Sequence, residues 1–260
     1  MSQPLSGAER RKFIAAKAAT ALVTDGMKVG LGTGSTAAWL VRHLAEMVYN
    51  DGLYIQAAAT SVQTATLAME LGIKIQSLDK LGWLDVTIDG ADEFDSQFNL
   101  LKGGGGALLR EKIVACASDR MAVVADVSKN VANLGKFPLP VEVIPFGIEC
   151  SSTLIERALL ELGYPTAKPV LRERDGSVFV TDEGNHIFDL YLDMITDPKV
   201  LSQTLNYIPG VVENGLFLNT CDTVIIGFGD GSSETRCLVD GATSISHAAN
   251  IENLFSDNGD

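Results

Sequence analysis

The 260-residue sequence has no run of some 18 apolar residues, no extended Lys/Arg run, no CxxC pair and no low-complexity tract. Without the apolar run a membrane-spanning helix is not expected. The opening stretch MSQPLSGAERRKFIAAKAATALV also lacks the apolar core of a signal peptide. Both absences point to a cytoplasmic protein. At a formal net charge of −13 no basic face exists to displace counterions, so nucleic acid and anionic membrane are excluded as partners. An anionic small ligand stays compatible if backbone N–H groups and one or two lysines reverse the field locally. Cys116, Cys150, Cys221 and Cys237 lie far apart and form no cluster with histidine, the pattern of inert thiols rather than of zinc ligands. His43, His186 and His247 are isolated from one another and from the acidic residues, and are assigned no catalytic role.

What is present is ordinary globular composition, 46% hydrophobic and 20% charged, so most of the chain is expected to fold. Ser6 and Glu9 have capping-box spacing ahead of a helical period that runs towards Gly26. MKVGLG, LYIQAAAT, WLDVTIDG and MAVVAD then read as strands, with helices STAAWLVRHLAEMV, SVQTATLAMEL and ALLREKIVACAS between them. This alternation predicts an α/β fold, a Rossmann-like doubly wound parallel sheet over residues 1–134. Three prolines in GKFPLPVEVIP break the pattern and place a domain boundary near residue 134. Beyond it, the helices SSTLIERALLELG and PKVLSQTLNYI and a hairpin SVFVTDEGNHIFDLYL, turning at Glu183 to Asn185, predict a smaller α+β domain over 135–214. GLFLN, TVIIGFG and TRCLVD read as closing strands, and those at about 215–240 are expected to return to the first domain. Residues 241–260 are expected to form a mobile tail.

Ligands of such sheets bind at the carboxyl ends of the strands, and three sequence features sit there. Gly32-Thr33-Gly34-Ser35-Thr36 joins a strand to a helix, where glycine allows close backbone approach and the helix start favours an anion such as phosphate. A tight turn alone would also explain it. Gly32, Gly34 and Ala37 satisfy the relaxed dinucleotide fingerprint, but the next strand ends in Thr60 and Ser61 instead of the acidic residue that a nicotinamide ribose requires. The second feature is IDGADEFDSQFNLLKGGGGALLREK, residues 88–112, with four acids in seven positions, then Lys102 and four glycines. Asp89, Asp92, Glu93 and Asp95 do not match a calcium loop. Asp95 reads as a solvated turn, whereas Asp89 closes an apolar strand and needs partners. Glu111, a turn into the following helix, suits either helix-start electrostatics or a general base. Lys129, after MAVVAD, is the third feature.

Taken together, GTGSTA, DGADE, KGGGGAL with REK behind it, DVSK and LGKFPLPVEVIP resemble, in that order, the ribose-5-phosphate isomerase type A family. The resemblance runs to about residue 240 and implies interconversion of ribose 5-phosphate and ribulose 5-phosphate with no cofactor and no metal. It also implies a homodimer or homotetramer. By residue match Glu111 is the proton-transferring base, and Asp89, Asp92 and Lys102 complete the catalytic set. Thr33, Gly34, Ser35, Thr36, Gly90, Ala91, Gly103, Gly104, Gly105 and Lys129 contact substrate. The family's usual KGGGAAL carries a fourth glycine here, Gly106, which is expected to leave the chemistry unchanged. Moving a carbonyl from C1 to C2 passes through an enediolate, and one base on one face can shift the proton. Crowded carboxylates suit such a site, because like charge raises a carboxyl pKa. The alternatives are a non-catalytic sugar-phosphate sensor, for which the 26 or so residues before the first strand are too short a DNA-binding module, and a dehydrogenase.

Overall fold

A computed structural model describes residues 5–239 and 242–248. In chain order its elements are α1 (Gly7–Ala19), β1 (Lys28–Leu31), α2 (Ser35–Asn50), β2 (Gln56–Ala59), α3 (Val62–Glu70), α4 (Leu78–Leu81), β3 (Val86–Gly90), β4 (Glu93–Phe94), β5 (Leu100–Leu101), α5 (Leu108–Cys116), β6 (Met121–Asp126) and β7 (Leu139–Val143). There follow α6 (Ile148–Glu161), β8 (Pro169–Leu171), β9 (Glu173–Arg174), β10 (Ser177–Val178), β11 (His186–Leu190), α7 (Pro198–Asn206), β12 (Val211–Asn214), β13 (Leu216–Phe217), β14 (Thr223–Gly227), β15 (Ser233–Val239) and β16 (Ala242–Ala248). The chain divides into two compact units.

The first unit takes the described residues within 1–90, 113–129 and 220–260. Its seven-stranded sheet has the order β16-β15-β14-β6-β3-β1-β2, parallel from β2 to β14 and antiparallel over β15 and β16. All six residues of β6 are buried, as a parallel strand covered on both faces requires. Ser6 accepts the Glu9 N–H at 3.3 Å, so the predicted cap forms, while the Glu9 carboxylate goes to Lys12 and to the Trp39 indole. Leu31, Leu40, Leu44, Ile88, Val124 and Ile225 form the centre of its core. Burying each such side chain contributes about 1.5–3 kcal/mol.

The second unit takes residues 91–112 and 130–219. Its antiparallel sheet runs β12-β7-β11-β8, with a short β13-β5-β4 ladder and the two-residue pair of β9 and β10 beside it. Val141, Val143, Ile155, Leu159, Leu190, Leu201 and Leu205 fill its core under α6 and α7.

Several expectations change here. The turn at 181–185 exists, with Thr181 N–H on the Asn185 carbonyl at 2.9 Å, but the long hairpin does not: β11 pairs with β7 and β8, and Ser177–Val178 pairs with β9. Alternation marked the strands without naming their partners. GKFPLPVEVIP, read as a break, contains β7, a central strand with Pro140 inside it. The Pro140 carbonyl accepts from Gly215 at 2.8 Å just beyond the β12 register, and the Gly215 carbonyl, to which Pro140 has no N–H to give, takes the Lys102 N–H at 2.9 Å instead. Leu216–Phe217 pairs with β5 in the second unit, whereas 223–239 joins the first sheet. Residues 242–248 of the expected tail are strand β16, because they carry seven consecutive partners along β15; 240–241 and 249–260 lie outside the described residues. Residues 91–112 also belong to the second unit, where the sequence placed a single boundary near 134.

Glu142 yields a stability prediction. It is buried in β7 and accepts from the Thr181 hydroxyl at 2.9 Å and the Asn185 amide at 3.0 Å. Burial outweighs these bonds and raises its pKa above the ordinary glutamate value. An acid whose folded pKa is raised gives its full stability below the unfolded pKa, and that stability is lost as pH rises through the folded one. Glu142→Gln removes this loss. Its melting temperature should therefore gain on wild type between pH 4.5 and neutrality, by about 2–4 °C per kcal/mol recovered. Parallel pH dependences in thermal scans of the two proteins contradict it.

Candidate active site

In the first unit the chain leaves β1 through Gly32, whose N–H still reaches the Ile88 carbonyl at 3.0 Å. A Cβ on Gly32 would sit 2.1 Å from Asp89 Oδ1 and 2.5 Å from Asp89 Cα, so only glycine permits this approach to the end of β3. Asp89 is wholly buried, and its Oδ1 accepts from Thr33 N–H at 3.0 Å and Gly90 N–H at 2.7 Å. The Thr33 hydroxyl turns away to Thr60 and Ser61, at 2.7 and 2.8 Å, and Thr64 donates to the Gly32 carbonyl at 3.0 Å. Gly34, at φ +109°, caps α2 without any side-chain bond. The first N–H groups of α2, on Ser35 and Thr36, have no carbonyl four residues back within the helix. Ser35 is exposed, Thr36 and Gly90 are half-buried, and Lys129 is half-buried at the end of the turn after β6.

In the second unit Lys102 and Glu111 are 2% and 4% exposed, and Lys102 Nζ lies 3.4 Å from Glu111 Oε1. Glu111 occupies the first turn of α5. Lys102 is anchored by its own N–H on the Gly215 carbonyl at 2.9 Å, and its ammonium stands 5.4 Å from the Phe217 ring centre. Lys112 lies 4.8 Å from the same ring and donates to the Asn214 and Leu216 carbonyls at 2.7 and 2.9 Å. Asp92 accepts the Gly104 N–H at 2.8 Å, and Ala91 beside it is half-buried. Gly103 and Gly106 close a turn at φ +104° and +87°, with the Gly106 N–H on the Gly103 carbonyl at 3.0 Å.

Each unit thus gathers its own predicted residues: Thr33 and Gly90 around Asp89 in the first, Asp92 with the glycine loop and Lys102 with Glu111 in the second. Two acids of the cluster have structural tasks. Glu93 holds the Gly135 and Phe137 N–H groups at 2.7 and 2.6 Å, and Asp95 makes a turn by accepting from Gln97, Asn99 and the Asn99 amide. Sequence reasoning missed Thr64, Phe217 and Lys112, and also Arg172 and Arg174, which reach the glycine-loop carbonyls. Thr60 and Ser61 were in view only as the place where an acid was wanting. No group of three or more His, Cys, Asp or Glu placed to hold a metal occurs among the described residues.

The model of the ribose 5-phosphate isomerase A (phosphoriboisomerase A) family matches residues 56–231. A ribose-5-phosphate isomerase A of Ruegeria sp. (strain TM1040) is 57% identical over 259 residues, covering 99% of each chain. The chain belongs to the ribose 5-phosphate isomerase A family. The solved structure of ribose 5-phosphate isomerase A from Methanocaldococcus jannaschii matches with TM-score 0.76 at 38% identity, over 91% of this chain and 98% of that one. A D-ribose-5-phosphate isomerase in complex with phospho-erythronic acid matches with TM-score 0.78 at 37% identity, over 93% and 99%.

The Gly32 contact predicts a contrast between two glycines. Gly32→Ala forces Asp89 aside and should cost about 1–3 kcal/mol of stability, as overpacking does. Gly90→Ala, whose Cβ would meet nothing nearer than 3.9 Å, should leave thermal unfolding little changed. Equal melting temperatures for the two variants contradict the contact.

Proposed function

We propose that the chain interconverts D-ribose 5-phosphate and D-ribulose 5-phosphate through an enediolate, an aldose-ketose isomerisation of the non-oxidative pentose phosphate pathway. Membership of the family supports the reaction. The observation that carries the mechanism is the buried Lys102–Glu111 pair, 3.4 Å apart. Glu111 takes the C2 proton of the open-chain sugar, the C–H electron pair becomes the C1–C2 double bond, and the negative charge passes to the former carbonyl oxygen. Glu111 then returns the proton to C1 while the proton on O2 passes to O1 and the carbonyl forms at C2. Lys102 supports the charged oxygen, aided by N–H groups of Gly103 to Gly105. A planar carboxylate resembles an enediolate, so the phosphorylated sugar acid in the solved relative fits the same chemistry.

Asp89 and Asp92 are assigned the hydroxyl protons and the opening of the furanose ring. Gly90 and Ala91 contact the sugar, while Thr33 to Thr36 and Lys129 hold its phosphate end, a role that the uncapped start of α2 favours. Thr33 contributes by fixing the loop, since its N–H is given to Asp89 and its hydroxyl to Thr60 and Ser61. The sensor alternative has nothing comparable behind it. We further place the enzyme in the cytoplasm as a homodimer or homotetramer; Phe146 and Tyr207, 88% and 87% exposed, are residues that an interface would cover. Light scattering that returns only monomer removes that assignment.

Glu111→Gln keeps shape and hydrogen bonding but cannot take a proton near neutral pH. Its kcat should fall by about 10²–10⁴-fold with thermal unfolding nearly unchanged, and deuterium incorporation from D₂O at the substrate carbons should fall with it. Exchange at near wild-type rate would move the base elsewhere. Because proton transfer alone completes this scheme, exhaustive EDTA treatment should leave activity intact; loss with recovery on adding a divalent ion overturns it.

A further inference from the structure

We propose that Arg172, clasped by Asp189, is a positioning residue that acts on Asp92 through the peptide unit joining Gly103 to Gly104. The inference rests on the reading of Asp92 given above. Arg172 donates from Nε to Asp189 Oδ2 at 2.9 Å and from Nη2 to Oδ1 at 2.5 Å, a two-point contact that fixes the guanidinium plane. Both side chains are nearly buried, 11% and 13% exposed, so the clasp is little screened by water. The remaining nitrogen, Nη1, is thereby aimed at the Gly103 carbonyl at 2.8 Å and lies 3.4 Å from that of Gly104.

A trans peptide unit is planar, with its C=O and N–H on opposite sides. Pinning the Gly103 oxygen on the arginine side turns the Gly104 N–H to the other side, where it donates to Asp92 Oδ2 at 2.8 Å. Carboxylate, guanidinium, peptide and carboxylate therefore stand in series. A cation on the amide oxygen polarises the unit and strengthens its N–H as a donor. A stronger donor holds the carboxylate that accepts from it more firmly in place. Glycine is required at both ends of this peptide: Gly103 sits at φ +104°, and a Cβ on Gly104 would lie 2.8 Å from Asp92 Oδ1. Arg174 extends the grip, with Nη2 3.4 Å from the Gly105 carbonyl and its guanidinium 4.3 Å from the Phe179 ring centre.

Other charged residues on this loop and the elements around it include Glu93, Asp95, Lys102, Arg110, Glu111, Lys112, Glu142 and Arg174. None is altered in the variants below. The test uses the full chain labelled with ¹³C-carbonyl and ¹⁵N glycine, which selects glycine amides that follow a glycine; Gly104, Gly105 and Gly106 alone do so. At fixed pH the Gly104 amide proton shift reports its hydrogen bond to Asp92, an assignment checked by an upfield move in Asp92→Asn. In Arg172→Met that proton should move upfield and exchange with solvent about tenfold faster, with Arg172→Lys between the two. kcat/KM should fall with it and be partly restored in Arg172→Lys. An unmoved Gly104 amide in Arg172→Met overturns the inference and leaves the role of Asp92 standing. Wild-type kcat/KM in Asp92→Asn instead removes that role, whatever Arg172 does to the Gly104 amide. If Arg172→Met does not fold, Asp189→Asn, which loosens the clasp and keeps its shape, is read in the same way.

Discussion

One wholly buried carboxylate organises the rim of the parallel sheet. Asp89 ends β3 with no exposed surface and takes its hydrogen bonds from Thr33 and Gly90. An isolated buried charge is costly, and charge-assisted bonds from two backbone N–H groups are the kind of compensation that a protein can build in. That geometry is possible only because Gly32 brings the β1 loop against Asp89. The same approach fixes where α2 begins, and sends the Thr33 hydroxyl into the Thr60, Ser61 and Thr64 cluster. Loop, strand end and helix start are set by a single contact.

The second unit meets a related constraint with opposite charges. Taking Lys102 and Glu111 out of water costs several kcal/mol per ion, and their mutual attraction seldom does more than balance it. A stability argument alone would favour two apolar residues here. The surroundings instead accommodate the lysine, with Phe217 presenting its ring to both Lys102 and Lys112. Such contacts contribute about 0.5–2 kcal/mol, more when desolvated. A cation held in a dry place beside a carboxylate suits a reaction whose intermediate carries negative charge.

The sequence made legible what is local. Ser6 as a cap, the strand ending in Asp89, the loop through Gly32 and Gly34, and Glu111 in the first turn of its helix all follow from spacing within a few residues. What depends on distant partners was not legible. Arg172 meets Gly103 across 69 positions, and nothing near LRERD marks it as different from a solvated arginine. The alternation in HIFDL identified a strand but not that it would lie between β7 and β8. Pro140 argued against a central strand, and only the distant Lys102 N–H, which takes the Gly215 carbonyl in its stead, shows how it is tolerated. Glu93 looked like one more member of an acidic cluster until the loop at 135–137 supplied its N–H partners.

The two borders of the seven-stranded sheet differ. Beyond β2, residues 74–76 run alongside, with Ala57 N–H on the Lys74 carbonyl at 3.0 Å and Gln76 N–H on that of Ala57 at 2.9 Å. Beyond β16 no described strand follows, and its seven residues, ATSISHA, are exposed and carry no lysine, glutamate or proline to discourage pairing. A sheet with one covered border and one that is bare among the described residues can grow in a single direction. Two such borders that meet use each other up, so pairing there ends in a finite particle, whereas a fibre needs a sticky border at both ends of every unit.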